Sequence, residues 1–289
     1  MKPSLLTVAK RALTGEAGVG RGDVVLAAVS GGPDSMALLH VLSRLAPKLG
    51  FVVHAHGVDH GLRAEASREL DVAEEFAEHL GVPFGRSRLD VARGGNLQAR
   101  ARAARFEALA AAAYGAGART IATAHHADDR AETVLLRLMR GAGPRGLAVL
   151  PARAPLGGHA GVELVRPFLR ARHADVLAHL ERHEIPFASD PSNLDPRFLR
   201  VRVRRELMPL LEELAPGIVT HLIALADQLA EPDPASGAPG SFPLSRSAQE
   251  ALAQLVRSRS TTARVWLPGE LVVKCEPRAR PRPRTARGP

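Results

Sequence analysis

Short apolar runs and helical apolar spacing take turns along the first two thirds of the chain. Residues 24–29 are apolar throughout, and from 36 to 45 apolar residues recur at i, i+3 and i+4. The first pattern reads as a buried strand and the second as an amphipathic helix. The same pair recurs at 51–55 with 64–80, at 83–89 with 97–114, and at 119–124 with a helix that runs to Arg140. Gly141 to Pro144 then breaks the pattern. Strands joined by helical crossovers predict an α/β fold, a Rossmann-like parallel sheet with helices on both faces.

Either side of this repeat the pattern is looser. Residues 4–13 read as a short amphipathic helix. Residues 162–165 read as a last strand, followed by helices at 170–183, 203–214 and 216–229. A linker rich in Pro, Gly, Ser and Ala occupies 231–240. A small helix at 247–255 and a β pair at 263–273 predict a small α+β C-terminal region. This divides the chain into a main α/β domain at 1–215, a small helical and α+β region at 216–275, and a basic tail at 276–289 with the composition of disorder.

With 289 residues and 45% apolar composition, the chain can bury one substantial core plus a smaller second unit. Lys and Arg number 39 against 30 Asp and Glu, a formal charge of +9 that suits a polyanionic partner. One cysteine, Cys275, excludes an internal disulfide and any four-cysteine metal or iron–sulfur site. There is no signal peptide and no apolar run long enough to span a membrane, so the expected location is cytoplasmic.

The chemistry concentrates where strands end. Ser30-Gly31-Gly32-Pro33-Asp34-Ser35 joins the first strand to the first crossover helix. A helix N-terminus attracts phosphate, and the two glycines let backbone approach an anion without a Cβ between. Asp34 would repel phosphate unless Mg²⁺ bridges them. The loop has no Walker lysine. After the second strand come His54, His56, Asp59, His60 and Arg63, at a sheet edge where open α/β folds bind ligands. Arg102 and Arg105 share a helical face and could reach an anion or simply be solvated. His125, Asp128, Asp129 and Glu132 follow the fourth strand; three acids there exceed what capping a helix needs. Finally Arg197, Arg200, Arg202, Arg204 and Arg205 crowd a stretch with no acid before Glu206, with 197, 200 and 204 expected on one helical face, a candidate RNA-phosphate surface.

The 30–35 loop resembles the SGGxDS signature of the N-type ATP pyrophosphatases, which split ATP between the α and β phosphates. Five segments in order, SGGPDSMALLH, VDHGLR, NLQARARAARF, AHHADDRAETVLLRLMRGAGPRGL and DPSNLDPRFLRVRVRRELMPLL, make the chain similar to the tRNA(Ile)-lysidine synthases of that superfamily. It departs from the family pattern at Arg130, commonly Gln, at Gln98, often Glu, and at Val201, commonly Asn. The C-terminal region is also short, and the sequence leaves open whether a partner copy in a homodimer compensates.

The resemblance implies ligation of L-lysine to C2 of the wobble cytidine of isoleucine tRNA with a CAU anticodon. ATP and Mg²⁺ would be used, and AMP and pyrophosphate released. It also implies roles. Ser30 to Ser35 would hold ATP phosphates, with Asp34 on Mg²⁺. Arg63, Arg102 and Arg105 would neutralise phosphate charge. Asp128, Asp129 and Glu132 would serve the lysine ammonium and the base. His60, His125 or a carboxylate would take the amine proton. A tRNA-thiolating relative would need paired cysteines. A free-metabolite amidating relative would leave the arginines idle, and a nucleotide- or RNA-binding protein without activity would not need Asp34 and the acidic trio.

Overall fold

The structure is a computed structural model that describes residues 3–59, 61, 65–89, 97–188, 195, 197–230, 264–267 and 271–274. In chain order the first elements are α1 (Leu5–Thr14), β1 (Val24–Val29), α2 (Pro33–Leu49), β2 (Val52–Asp59), α3 (Glu65–His79), β3 (Phe84–Arg88) and α4 (Leu97–Gly115). Next come β4 (Thr120–Ala122), α5 (Ala127–Leu138), α6 (Pro144–Leu147), β5 (Arg153–Pro155), β6 (Glu163–Val165) and α7 (His173–Arg182). α8 (Leu199–Arg202) and α9 (Met208–Leu214) flank a π-helical turn at Val203–Leu207, and α10 (Ile218–Ala230) follows. β7 (Arg264–Leu267) and β8 (Leu271–Lys274) pair antiparallel.

Six strands form one sheet in the order β3-β2-β1-β4-β6-β5, with every pairing parallel except β5 on β6. Strand period decides what each face meets. Val25, Ala27 and Val29 of β1 face a core shared with α1, α2, α3 and α7, whereas Leu26 and Ala28 face α4. Helices therefore cover both faces, as an all-buried strand run requires.

α2 is the central helix. Met36, Leu38, Leu39, Val41 and Leu42 are all at 0% exposure, which places apolar contacts nearly all round it. At roughly 2 kcal/mol for each large buried side chain, these five contribute on the order of 10 kcal/mol to its anchoring. The helix ends where Gly50 takes φ 80° and returns its N–H to the Ala46 carbonyl at 2.8 Å. A third core joins α5, α6, α9 and α10, so α10 packs directly on the helix that carries the acidic residues.

Four local expectations differ from the structure. β2 continues to Asp59, so His54, His56 and Asp59 are strand residues and not a loop beyond Ala55. The parallel sheet gains an antiparallel edge strand, β5, too short for any period to reveal. The 203–214 stretch is not one regular α-helix, because its first five residues form a π turn. Arg197 precedes α8 instead of sharing its face with Arg200 and Arg204. The linker at 231–240, the helix at 247–255 and the tail at 276–289 lie outside the described residues.

Candidate active site

β1 sits between β2 and β4, and the chain leaves these strands in opposite directions. A crevice opens at their carboxyl ends, where doubly wound sheets bind ligands. One wall is the loop after β1. Gly31 has φ 82°, and a Cβ there would collide with the Glu69 carbonyl of α3, 2.7 Å from its carbon, so only glycine fits. The Gly31 carbonyl accepts the Ala188 N–H at 2.9 Å. Ser35 Oγ accepts the Ser30 N–H at 3.1 Å, donates to the Gly32 carbonyl at 2.9 Å and lies 3.2 Å from Ser30 Oγ. The two hydroxyls thus shape the loop. Gly32 caps α2 without a side chain, and Pro33 opens the helix, leaving its positive end facing the crevice.

Asp34, in the first turn of α2, faces two imidazoles. Its Oδ1 is 3.1 Å from His173 Nδ1, at the start of α7, and 3.6 Å from His126 Nε2. The Asp34 hydrogen bond raises the pKa of His173 despite partial burial. His126, 2% exposed, caps α5. Its Nδ1 accepts the Asp129 N–H at 3.3 Å, while Asp129 Oδ2 accepts the His126 N–H at 3.1 Å. With Nδ1 accepting, the neutral ring carries its proton on Nε2, which lies 3.4 Å from Asp129 Oδ2.

The three acids of α5 are each held by arginine. Asp128 accepts from Arg172 Nε at 2.9 Å and from the His173 N–H at 2.7 Å. Glu132, 1% exposed, receives Arg204 Nε at 2.6 Å and Arg200 Nε at 2.9 Å. Asp129 receives Arg200 Nη2 at 2.9 Å and Arg204 Nη2 at 3.4 Å. So Asp129 and Glu132 share two arginines, while Asp128 turns to α7. Burial works to raise the Asp129 pKa, but His126, Arg200 and His125 outweigh it and hold the carboxyl below its ordinary value. Burial likewise opposes the charge on Arg204, and the Glu132 hydrogen bond overrides it, raising the guanidinium.

Beside this acidic side lies a basic one. Burial, then Arg200, lowers Arg102; burial, then Arg102, lowers Arg105; burial, then Arg102 and Arg130, brings Arg166 down to about 10. His125 is pushed down to about 4 by burial, with Arg166, Arg102 and Arg105 adding to it against Asp129. Its Nδ1 is 3.0 Å from Thr123 Oγ1. Arg166 is 5% exposed and hydrogen-bonds the Pro151 carbonyl, yet its buried Nε has no partner among the described residues. Clustered guanidiniums that depress one another favour an anion between them.

Arg197 and Arg202 pair locally with Asp195 and Glu206, and Arg205 is exposed. His56 is a satisfied interior histidine, 2.8 Å from Ser87 Oγ of β3 and lowered in pKa by burial. Asp59 accepts the Gly61 N–H at 2.8 Å. His60 and Arg63 lie outside the described residues. Arg130, where the relatives' pattern favours Gln, is buried and bridges the Val149 carbonyl (2.9 Å) to Asp227 of α10 (2.6 Å). His126, Arg166, Arg172 and His173 join the site without having been selected from the sequence. His173 is 139 positions from Asp34, and no local spacing signals such a contact.

Asp34, His126 and His173 bring ligand atoms within 4.8 Å of one another. The donor set fits Mg²⁺ through Asp34: one carboxylate beside a phosphate loop leaves the remaining positions to phosphate and water oxygens. His126 fits less well as a ligand, because its proton is on Nε2. A cavity of about 270 Å³ adjoins the site, with Asp128, Glu132 and Glu212 on its wall together with Arg172 and Arg204, beside Met208 and Pro209. No single described helix is long and apolar enough to cross a membrane.

The tRNA(Ile)-lysidine synthase of Novosphingobium aromaticivorans is 44% identical over 211 residues, covering 73% of this chain and 63% of that protein. That of Symbiobacterium thermophilum is 41% identical over 219 residues, covering 73% and 45%. The chain therefore spans about half to under two thirds of the length of these relatives. Among solved structures, the U34-tRNA thiolase NcsA from Methanococcus maripaludis superposes with a TM-score of 0.65 at 19% identity, covering 82% of each chain. NMN synthetase from Francisella tularensis superposes at 0.50 with 10% identity, covering 83% of this chain and all of that one. These two likenesses carry the fold alone. The family model described as a PP-loop domain matches residues 8–211, well over half of the chain and all of the crevice but Glu212, and the chain belongs to the PP-loop domain family.

Proposed function

We propose that this chain catalyses ATP-dependent formation of lysidine on isoleucine tRNA with a CAU anticodon. The observation that carries the reading is one crevice with two chemically opposite sides. The glycine loop and the Arg102, Arg105 and Arg166 group suit phosphate. The Asp128, Glu132 and Glu212 cavity would suit an ammonium and an aliphatic chain once Arg172 and Arg204, which now pair with these carboxylates, give way. The relatives named tRNA(Ile)-lysidine synthase support the assignment of these sides to ATP and lysine.

The C2 carbonyl of cytidine is a poor electrophile, so its oxygen must first become a leaving group. In the first step O2 attacks the α phosphorus of ATP and pyrophosphate departs. In the second, the lysine amine attacks C2, the C2–O2 bond breaks and AMP leaves. Mg²⁺ held by Asp34 would neutralise charge on the departing phosphates. The α2 N-terminus and Gly31–Gly32 backbone would bind the pyrophosphate oxygens. Arg102, Arg105 and Arg166 would stabilise the charge that develops. Asp128 and Glu132 would orient the ammonium. A carboxylate such as Asp129, or His125, held neutral at pH 7, would accept the amine proton. Arg200 and Arg204 would exchange a carboxylate for a tRNA phosphate as the substrate docks, with Arg197, Arg202 and Arg205 extending that surface.

We also read 1–215 as the catalytic part, 216–275 as RNA-associated and 276–289 as a basic tail, in a cytoplasmic protein that could act as a homodimer. The test is radiolabelled lysine incorporation into bulk tRNA with chromatography of the spent nucleotide. The expected result is AMP and pyrophosphate in equal amounts, dependent on both lysine and tRNA. ADP and orthophosphate as primary products would overturn the reading.

A further inference from the structure

The interface of α2 with α7 contains three histidines that the chemistry above does not use. His40 of α2 and His179 of α7 are buried, at 9% and 6% exposure. His40 Nδ1 lies 3.0 Å from His179 Nε2. His183, one turn beyond His179 and exposed, sits tilted against both, with ring centroids 4.8 Å from His40 and 4.5 Å from His179. Elsewhere the seam is apolar, with Leu39, Val176 and Leu180 in the same core. Leu or Val would fill positions 40 and 179 without the cost of desolvating two imidazoles.

We propose that His40, His179 and His183 form a binding site for a divalent transition metal of the zinc type. Two ligands four apart on one helix, plus a third from a neighbouring helix, are the donor arrangement that a tetrahedral ion with three protein ligands takes. Neighbouring nitrogens around such an ion lie about 3.3 Å apart, close to the 3.0 Å already separating His40 and His179. One proton now sits between them. Moving it to the far nitrogen of the same ring presents both lone pairs inward, with no net proton loss at neutral pH. His183 does not yet converge, since among the described residues only the Asp34 group brings three ligand atoms together. It is the exposed C-cap residue of α7, and the proposal requires its ring to turn a nitrogen toward the other two when the ion binds.

Burial supports the choice of ligand state. It brings both His40 and His179 down to about 4, so each is neutral across the physiological range. Imidazole nitrogen suits zinc, copper and nickel, and suits Mg²⁺ poorly; with no carboxylate, this site differs from the Asp34 group with its two imidazoles. The two are coupled by geometry. The His40–His179 contact lies six residues further along the same two helices than the Asp34–His173 contact, about 9 Å along the axes. A metal here would lock the seam that holds Asp34 against His173. Arg44 and Arg182 bring positive charge to both buried rings, so the site would be weaker than a structural zinc site and would favour an anion as fourth ligand.

The test uses the full chain with Zn²⁺ in competition against a chromophoric chelator, and Co²⁺ as an optical probe. We expect a Zn²⁺ site that His183→Gln weakens about tenfold or more and that Asp34→Asn leaves unchanged. His183→Cys should retain Co²⁺ and add a sulfur-to-cobalt charge-transfer band absent from the parent. Loss of binding in Asp34→Asn would place the ion in the phosphate crevice and overturn the proposal. So would equal affinity in His183→Gln, no Zn²⁺ uptake by the parent, or a His183→Cys protein without the new band.

Discussion

His173 Nδ1 lies 3.1 Å from Asp34 Oδ1, across the N-termini of two helices that are 139 residues apart in sequence. The contact fixes the one carboxylate of the phosphate loop in a defined rotamer. It also links that loop to Asp128, which accepts the His173 N–H at 2.7 Å. The phosphate side and the acidic side of the crevice are therefore one hydrogen-bonded unit.

Asp34→Asn should abolish turnover and leave the fold intact, because Asn keeps the size and loses the charge that holds Mg²⁺. Circular dichroism and a lysine incorporation assay at saturating Mg²⁺ check it. A rate near that of the parent would sink the assignment of Asp34.

Glu132→Gln tests the acidic side. Glu132 is buried but Arg200 and Arg204, which hold it, are 45% exposed, so neutralising it should cost about 1–3 kcal/mol of charge-assisted hydrogen bonding and lower the melting temperature. The functional reading demands more: product formation should be lost while tRNA affinity is retained. If only the melting temperature moves, and turnover at a permissive temperature survives, Glu132 is a structural anchor.

The arginines of the 197–205 stretch differ in their present partners, and the salt dependence of tRNA binding should sort them. Each Arg that contacts phosphate should lower the slope of log affinity against log salt by about one unit when replaced. Arg205, exposed, is the first candidate; Arg200 and Arg204 must first leave Glu132. An unchanged slope across all five single replacements would remove this face from the RNA surface.

Stability should fall in acid through the α2–α7 seam. His40 and His179 are neutral in the folded protein down to about pH 4, with burial as the main cause and His183, Arg44 and Arg182 adding positive charge around them; Phe76 of α3 stacks on His40. In the unfolded chain they protonate near 6.5. The unfolded state therefore binds more protons between about pH 6.5 and 4, and stability is lost as pH falls through that window. Thermal melts of the parent and His179→Gln should diverge at pH 7 and converge toward pH 4. Parallel curves would show that the pair does not titrate with unfolding.

Much of this protein was legible in its residues. The strands that are buried on both faces are apolar runs, and α2 is apolar nearly all round. The Gly31–Gly32 loop between them was marked by its glycines and by the helix start at Pro33. Local chemistry also marked Asp34, His125, Asp128, Asp129 and Glu132, since dense charge at a strand end is visible without the fold. The short strand β5 and the π turn at Val203–Leu207 were not legible. Each is decided by what packs against it and by where its backbone hydrogen bonds can close. Side-chain pairing was invisible for the same reason. Only tertiary structure brings His173 to Asp34, Arg200 and Arg204 to Glu132, Arg172 to Asp128 and His40 to His179. The energies involved depend on distance and burial in three dimensions, and sequence separation carries no information about either.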